Sequence, residues 1–145
     1  MLRVILPKMN KIRLLSISIA LIYFWFGVLK FFPELSPAET IATQTIGTIT
    51  FHLIPSNLSY GILAFIEISI GLGLILFPRK KAVIWAALVH MICTFVPLFA
   101  FPELSFTKPP YGFTILGQYI MKNIIIIMAL LVLLPSKKEY HDNVN

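Results

Sequence analysis

The chain has 145 residues and a formal net charge of +6, yet only 12% of it is charged and 58% is hydrophobic. A mean hydropathy of +0.88 is more than a water-soluble domain of this size can hide, which excludes a soluble globular enzyme and makes lipid the expected solvent. The positive charge gathers at the ends of apolar runs, so it reads as a topology signal and a contact to anionic lipid, not as a nucleic-acid patch.

Four apolar runs cover about 14–32, 58–77, 82–101 and 114–134. Each approaches the roughly 20 residues a helix needs to cross a bilayer core. The expected fold is all-α: a polytopic four-helix membrane bundle, one domain over 1–145, with a short amphipathic helix in the first outer loop. Arg3, Lys8, Lys11 and Arg13 precede the first run, Arg79, Lys80 and Lys81 join the second to the third, and Lys137 and Lys138 follow the fourth. Glu34, Glu39 and Glu103 lie at the opposite ends. The positive-inside rule therefore predicts cytoplasmic termini. The first run is longer than a signal-peptide core and no A-x-A site follows it, so it is expected to be retained. Cys93 is the sole cysteine, which excludes an internal disulfide or dithiol relay.

In the first run Ser16, Ala20, Tyr23, Gly27 and Lys30 recur at spacings of four and three, placing small and polar residues on one stripe. Small residues let membrane helices approach, so this stripe is expected to face the bundle, with Tyr23 inward and Lys30 snorkelling to the outer interface. Next, Ser36-Pro37-Ala38-Glu39 reads as a capped helix start. Ala38, Ile41, Ala42, Thr45, Ile46, Ile49 and Leu53 then repeat at helical spacing up to Pro55. This predicts an interfacial helix, either covering the outer mouth of the bundle or simply lying on the surface. The second run aligns Tyr60, Ala64, Glu67, Gly71 and Leu74. The third aligns Ala86, His90, Cys93 and Pro97, with Thr94 beside them. The fourth aligns Gln118, Lys122 and Ala129, with Tyr119 and Asn123 adjacent.

Phe32-Pro33-Glu34-Leu35-Ser36 recurs as Phe101-Pro102-Glu103-Leu104-Ser105. Both copies follow a helix running outward. The echo fits either a parallel repeat of two helix pairs or two independent helix-ending signals.

Glu67, His90 and Lys122 each sit near the centre of an apolar run. A charge at mid-membrane costs roughly 2.5–3.5 kcal/mol even on the lenient insertion scale, so it is seldom left facing lipid. Glu67 reads as a proton carrier, as a hydrogen-bond partner for a small ligand, as counter-ion to Lys122, or as a protonated acid tying helices together. Lys122 either pairs inward with Glu67 or snorkels outward. Asn123 can bond across helices, and Gln118 completes a hydrated face. His90 lacks the partners for a closed zinc site or for bis-histidine haem, leaving a hydrogen-bonding role. No metal site is expected.

Several stretches carry a resemblance. Phe26-Gly27-Val28-Leu29-Lys30-Phe31-Phe32-Pro33 with Leu35-Ser36-Pro37-Ala38-Glu39 resembles the first helix and loop of DoxX-like membrane proteins. Glu67 with Ile70-Gly71-Leu72-Gly73-Leu74 resembles their second helix. His90-Met91, Thr94-Phe95-Val96-Pro97-Leu98 and Phe101-Pro102-Glu103 resemble their third, and Pro110-Tyr111 with Gly117-Gln118-Tyr119-Ile120-Met121-Lys122-Asn123 their fourth. Leu116 stands where the family is expected to carry an acidic residue. The resemblance implies a multi-pass protein of the bacterial inner membrane, a subunit of a redox complex linked to thiosulfate oxidation or redox defence.

Two functions follow as expectations. The first is a quinone-linked oxidoreductase subunit, in which Glu67, Lys122, His90, Tyr23, Gln118 and Asn123 bind ligand or handle protons. It carries no covalent cofactor, takes a quinone as ligand, and relies on soluble or membrane partner subunits for electrons. The second is a non-enzymatic scaffold, assembly factor or small transporter component. Assembly into a homo-oligomer is compatible with both.

Overall fold

The computed structural model describes residues 11–32 and 39–135. Four helical stretches are long and apolar enough to cross a membrane: Lys11–Leu29, Leu58–Leu76, Lys81–Ala100 and Ile115–Leu133, each of 19 or 20 residues. At about 1.5 Å per residue such a stretch spans roughly 30 Å, the thickness of a hydrocarbon core. The chain is thus a multi-pass membrane protein built as an all-α four-helix bundle. The outer faces agree: Leu21, Trp25, Phe65 and Ile125 are each more than 60% exposed, a surface that water would not tolerate but lipid solvates.

The first span is α1 (Lys11–Leu29) and the second α3 (Ser56–Leu76). They form the most extensive contact in the molecule, and the reason is glycine. A methyl at Gly27 would stand 2.8 Å from Ile68 Cγ1 and 3.2 Å from the Ala64 carbonyl; one at Gly71 would stand 3.1 Å from the Ala20 carbonyl and 3.2 Å from the Phe24 amide. The missing β-carbons let the two backbones close on each other. Ser16 fixes the far end, donating from Oγ to the Leu74 carbonyl at 2.8 Å. The predicted stripes are therefore the observed interface. Ser16, Ala20, Tyr23 and Gly27 are buried on α1, and Tyr60, Ala64, Glu67, Gly71 and Leu74 on α3.

The third span divides into α4 (Lys81–Cys93) and α5 (Val96–Ala100), and the fourth into α7 (Ile115–Met121) and α8 (Asn123–Leu133). Pro97 explains the first break, since it has no N–H for the carbonyl four residues earlier and its ring crowds that turn. Around it the bonds tighten to the i+3 pattern, with Phe95 N donating to Ile92 O and Leu98 N to Phe95 O. The second break falls at Lys122, where Ile125 N bonds Lys122 O at 3.0 Å. Asn123 Nδ2 donates to Thr94 Oγ1 at 2.9 Å, joining the two breaks side to side. α4 packs on α3 and α8, and α8 also returns to α1, closing the ring.

Two of the expected stripes need correction. On α4 the buried face is Ile84, Ala87, Leu88 and Met91, with Ala86 exposed and His90 half-buried. On the fourth span Gly117, Ile120, Leu130 and Leu133 are buried, while Gln118 and Lys122 are exposed. In both cases apolar side chains fill the core and polar ones stand beside it.

Between α1 and α3 lies α2 (Glu39–Ile49), the expected amphipathic helix, resting on α3 and α5. The proposed cap Ser36-Pro37 and the first copy of the pentapeptide echo beyond Phe32 lie outside the described residues. Thr43, Thr45, Thr48 and Thr50 each return their hydroxyl to the carbonyl four residues back, which satisfies them within the helix and suits an apolar boundary. The helix ends in a Schellman arrangement: His52 N bonds Gly47 O at 2.7 Å and Phe51 N bonds Thr48 O. Phe51 and His52 both take left-handed φ, 52° and 57°, and Gly47 leaves room for the His52 ring above it.

A small hairpin on the same end has no counterpart in the hydropathy pattern. After α6 (Pro102–Ser105), β1 (Phe106–Lys108) pairs antiparallel with β2 (Gly112–Phe113). Its turn contains a cis Pro109–Pro110 bond, and the Phe106 and Phe113 rings meet at 4.9 Å. The buried Ser105 donates to the Pro97 carbonyl at 3.1 Å, while Thr114 caps α7 by accepting from Gly117 N at 3.1 Å. Gly117 is required there: a β-carbon would collide with the Ser105 carbonyl.

Candidate functional site

Glu67 sits nine residues into its span, about 14 Å from the end nearer α2 at the helical rise. Its partner comes from the turn that closes α1. Lys30 Nζ lies 2.6 Å from Glu67 Oε2, with the two side chains 6% and 9% exposed. The antiparallel packing brings them together. Each helical side chain leans toward its own N-terminus, so the Lys30 stem descends into the bundle while the Glu67 carboxylate rises to meet it. Lys30 also donates to the Phe26 carbonyl at 3.3 Å.

The second carboxylate oxygen faces α4. His90 Nε2 stands 3.4 Å from Glu67 Oε1, and on the other side of the ring Nδ1 is 3.2 Å from the Tyr23 hydroxyl. That hydroxyl donates in turn to the Ala87 carbonyl at 2.9 Å. The result is one continuous polar chain, Lys30–Glu67–His90–Tyr23–Ala87, crossing from α1 to α3 to α4. Taking an ion from water into this setting costs several kcal/mol, which the paired charges and added hydrogen bonds offset. Tyr23 and Ala87 belong to the apolar core, so the chain is anchored at one end in the best-packed part of the bundle.

Two sequence expectations change here. The expected Glu67–Lys122 pair is not formed, because Lys30 and His90 occupy the two carboxylate oxygens. Lys122 is exposed, and its ammonium lies 4.7 Å from the centre of the Tyr119 ring. Lys30, expected to snorkel outward, instead turns inward. Its placement on the same stripe as Tyr23 and Gly27 was the signal that identifies it. Of the other candidates, Glu67, His90 and Tyr23 come together, Asn123 serves as the cross-helix bond to Thr94, and Gln118 is exposed outside the cluster.

A second group borders the first. The Tyr119 ring meets Phe26 edge-on at 6.0 Å, and both the Tyr119 and Tyr23 hydroxyls lie within electrostatic reach of Glu67. Tyr119 thus meets Phe26 of α1 on one side and carries the exposed Lys122 ammonium over its ring. Chemically, the arrangement offers N–H donors from Lys30 and His90, a carboxylate that can exchange a proton with an imidazole, and a half-exposed phenol at its margin.

Compared with known proteins, the chain matches no family model, no curated protein and no solved structure.

Proposed function

We propose that this chain is a DoxX-like subunit of a quinone-linked redox complex in the bacterial inner membrane, with both termini cytoplasmic. The observation that carries the reading is Glu67 held between Lys30 and His90 inside the bilayer span. Quinone reduction takes up protons and places developing charge on two carbonyl oxygens, so it calls for N–H donors and a proton-exchanging acid in an apolar slot. Lys30, His90 and the Tyr119 phenol supply donors of that type, and Glu67 with His90 supplies the acid–base pair. Electrons come from a partner subunit that carries a redox cofactor. This chain's part is to bind, orient and exchange protons. Support for the redox setting comes from the ordered motifs along the four runs, and for the orientation from the basic residues flanking them.

The test is organic extraction of protein purified in native lipid. The reading expects a bound quinone in the wild type, its loss in Glu67→Gln and Lys30→Met, and quinone-dependent electron transfer when membrane partners are restored. A quinone-free protein that supports no such transfer would overturn it.

A second reading, a scaffold, assembly factor or small transporter component, draws on one specific fact. Lys30 and Glu67 pair at 2.6 Å, so the carboxylate has its counter-ion within the chain. Uptake into vesicles that disappears in Glu67→Gln marks a transporter; variants that alter only thermal stability mark a scaffold.

A further inference from the structure

The hydrogen bonds around His90 do not close with the charges of the ion pair alone. The Ala87 carbonyl only accepts, so the Tyr23 hydroxyl, 2.9 Å away, directs its single hydrogen there. His90 Nδ1, 3.2 Å from the same hydroxyl, then faces an oxygen lone pair and must itself carry hydrogen to bond it. A neutral imidazole with hydrogen on Nδ1 presents a bare lone pair at Nε2. That lone pair would stand 3.4 Å from Glu67 Oε1, and an ionised carboxylate has only lone pairs to return. Two acceptors face to face between side chains this buried repel each other.

We propose that the cluster resolves this with one bound proton, held between His90 Nε2 and Glu67 Oε1, which makes it a proton-binding site with one net positive charge. The charge is that of one ammonium, one carboxylate and one imidazolium; moving the proton onto the carboxyl group leaves the sum unchanged. The site releases the proton in one balanced step. A single proton leaves for water or for the oxygen of a bound ligand, and the Tyr23 hydroxyl turns from the Ala87 carbonyl to the freed Nδ1. His90 keeps hydrogen on Nε2 and donates it to Glu67. The cluster is then neutral, with the Tyr23–Ala87 hydrogen bond given up in exchange for one from Tyr23 to His90.

The groups facing His90 are Glu67 on α3, the Tyr23 hydroxyl on α1 and, across Glu67, the Lys30 ammonium, with the exposed Lys122 over the Tyr119 ring on the fourth span. The inference goes beyond the quinone reading and does not depend on it, since it is argued from the protein's own donors and acceptors.

The test uses His90 as the sole histidine, in a chain carrying His52→Gln and His141→Gln, labelled with ¹⁵N and placed in lipid bilayers. Solid-state NMR reports which ring nitrogens carry hydrogen. The infrared carboxyl difference against Glu67→Gln reports the state of Glu67. At neutral pH the proposal expects an imidazolium beside an ionised Glu67, or an Nδ1-protonated imidazole beside a protonated Glu67. In Tyr23→Phe the expected state is a neutral Nε2-protonated ring beside an ionised Glu67. A neutral His90 beside an ionised Glu67 in the chain with Tyr23 present overturns the proposal, as does a Tyr23→Phe spectrum identical to its parent. Absence of quinone leaves these readings unchanged, so the two proposals fail separately.

Discussion

Lys30 closes α1 and Glu67 lies in the middle of α3, yet their side chains meet at 2.6 Å with less than a tenth of either exposed. The contact places a charge from near the end of one span against one buried within another. It depends on the close approach of α1 and α3 at Gly27 and Gly71 and on the lean of both side chains toward each other.

Breaking this pair strands a buried charge, whereas removing both charges does not. Lys30→Met or Glu67→Leu alone is expected to cost about 3–5 kcal/mol, and the double replacement much less than either. Thermal unfolding in bilayer discs measures all three. A double variant as unstable as the sum of the singles would contradict the pairing.

Lys122 provides the contrast. Its ammonium lies over the Tyr119 ring and its side chain is exposed, so Lys122→Met should shift stability by less than about 1 kcal/mol, in the range of an exposed cation–π contact. A loss comparable to that of Lys30→Met would return Lys122 to the buried site.

How much of this was legible in the sequence differs helix by helix. Small residues mark the α1 and α3 interface directly, because only Ser, Ala and Gly permit that approach, and the polar members of both stripes followed them inward. On α4 the visible landmark was His90, but the core face is Ile84, Ala87, Leu88 and Met91, a set too like its lipid-facing neighbours for hydropathy to separate. Depth along the apolar runs alone would pair Lys122 with Glu67, but a lysine stem leaning back along α1 reaches the same depth from Lys30. Pro97 announced the break in the third span. No comparable residue announces the one at Lys122, and nothing in the apolar pattern foretold the hairpin at Phe106–Phe113.

Glycine positions separate packing from propensity. Gly71→Val places branched carbon where the Ala20 carbonyl and Phe24 amide are already 3.1 and 3.2 Å from a β-carbon, and should cost about 1–3 kcal/mol. Gly61→Ala meets nothing within 4 Å and should gain up to about 1 kcal/mol from helix propensity. Melting curves that rank the two variants in the opposite order would show that α1 and α3 do not pack as described.

The bond from Asn123 to Thr94 joins the breaks in two neighbouring spans. Cross-helix bonds of this type average about 0.6 kcal/mol in membranes and reach about 1.7. A double-mutant cycle of Asn123→Leu with Thr94→Val should return a coupling in that range. Strict additivity would mean that the two side chains act independently.

The account rests on Lys30 being the cation at Glu67, and an internuclear distance tests that most directly. In bilayers, dipolar coupling between ¹⁵Nζ-labelled lysine and the ¹³C-labelled carboxyl of Glu67 should show a direct contact. That contact should persist in Lys122→Met and vanish in Lys30→Met. A coupling that survives Lys30→Met and disappears in Lys122→Met would contradict the account.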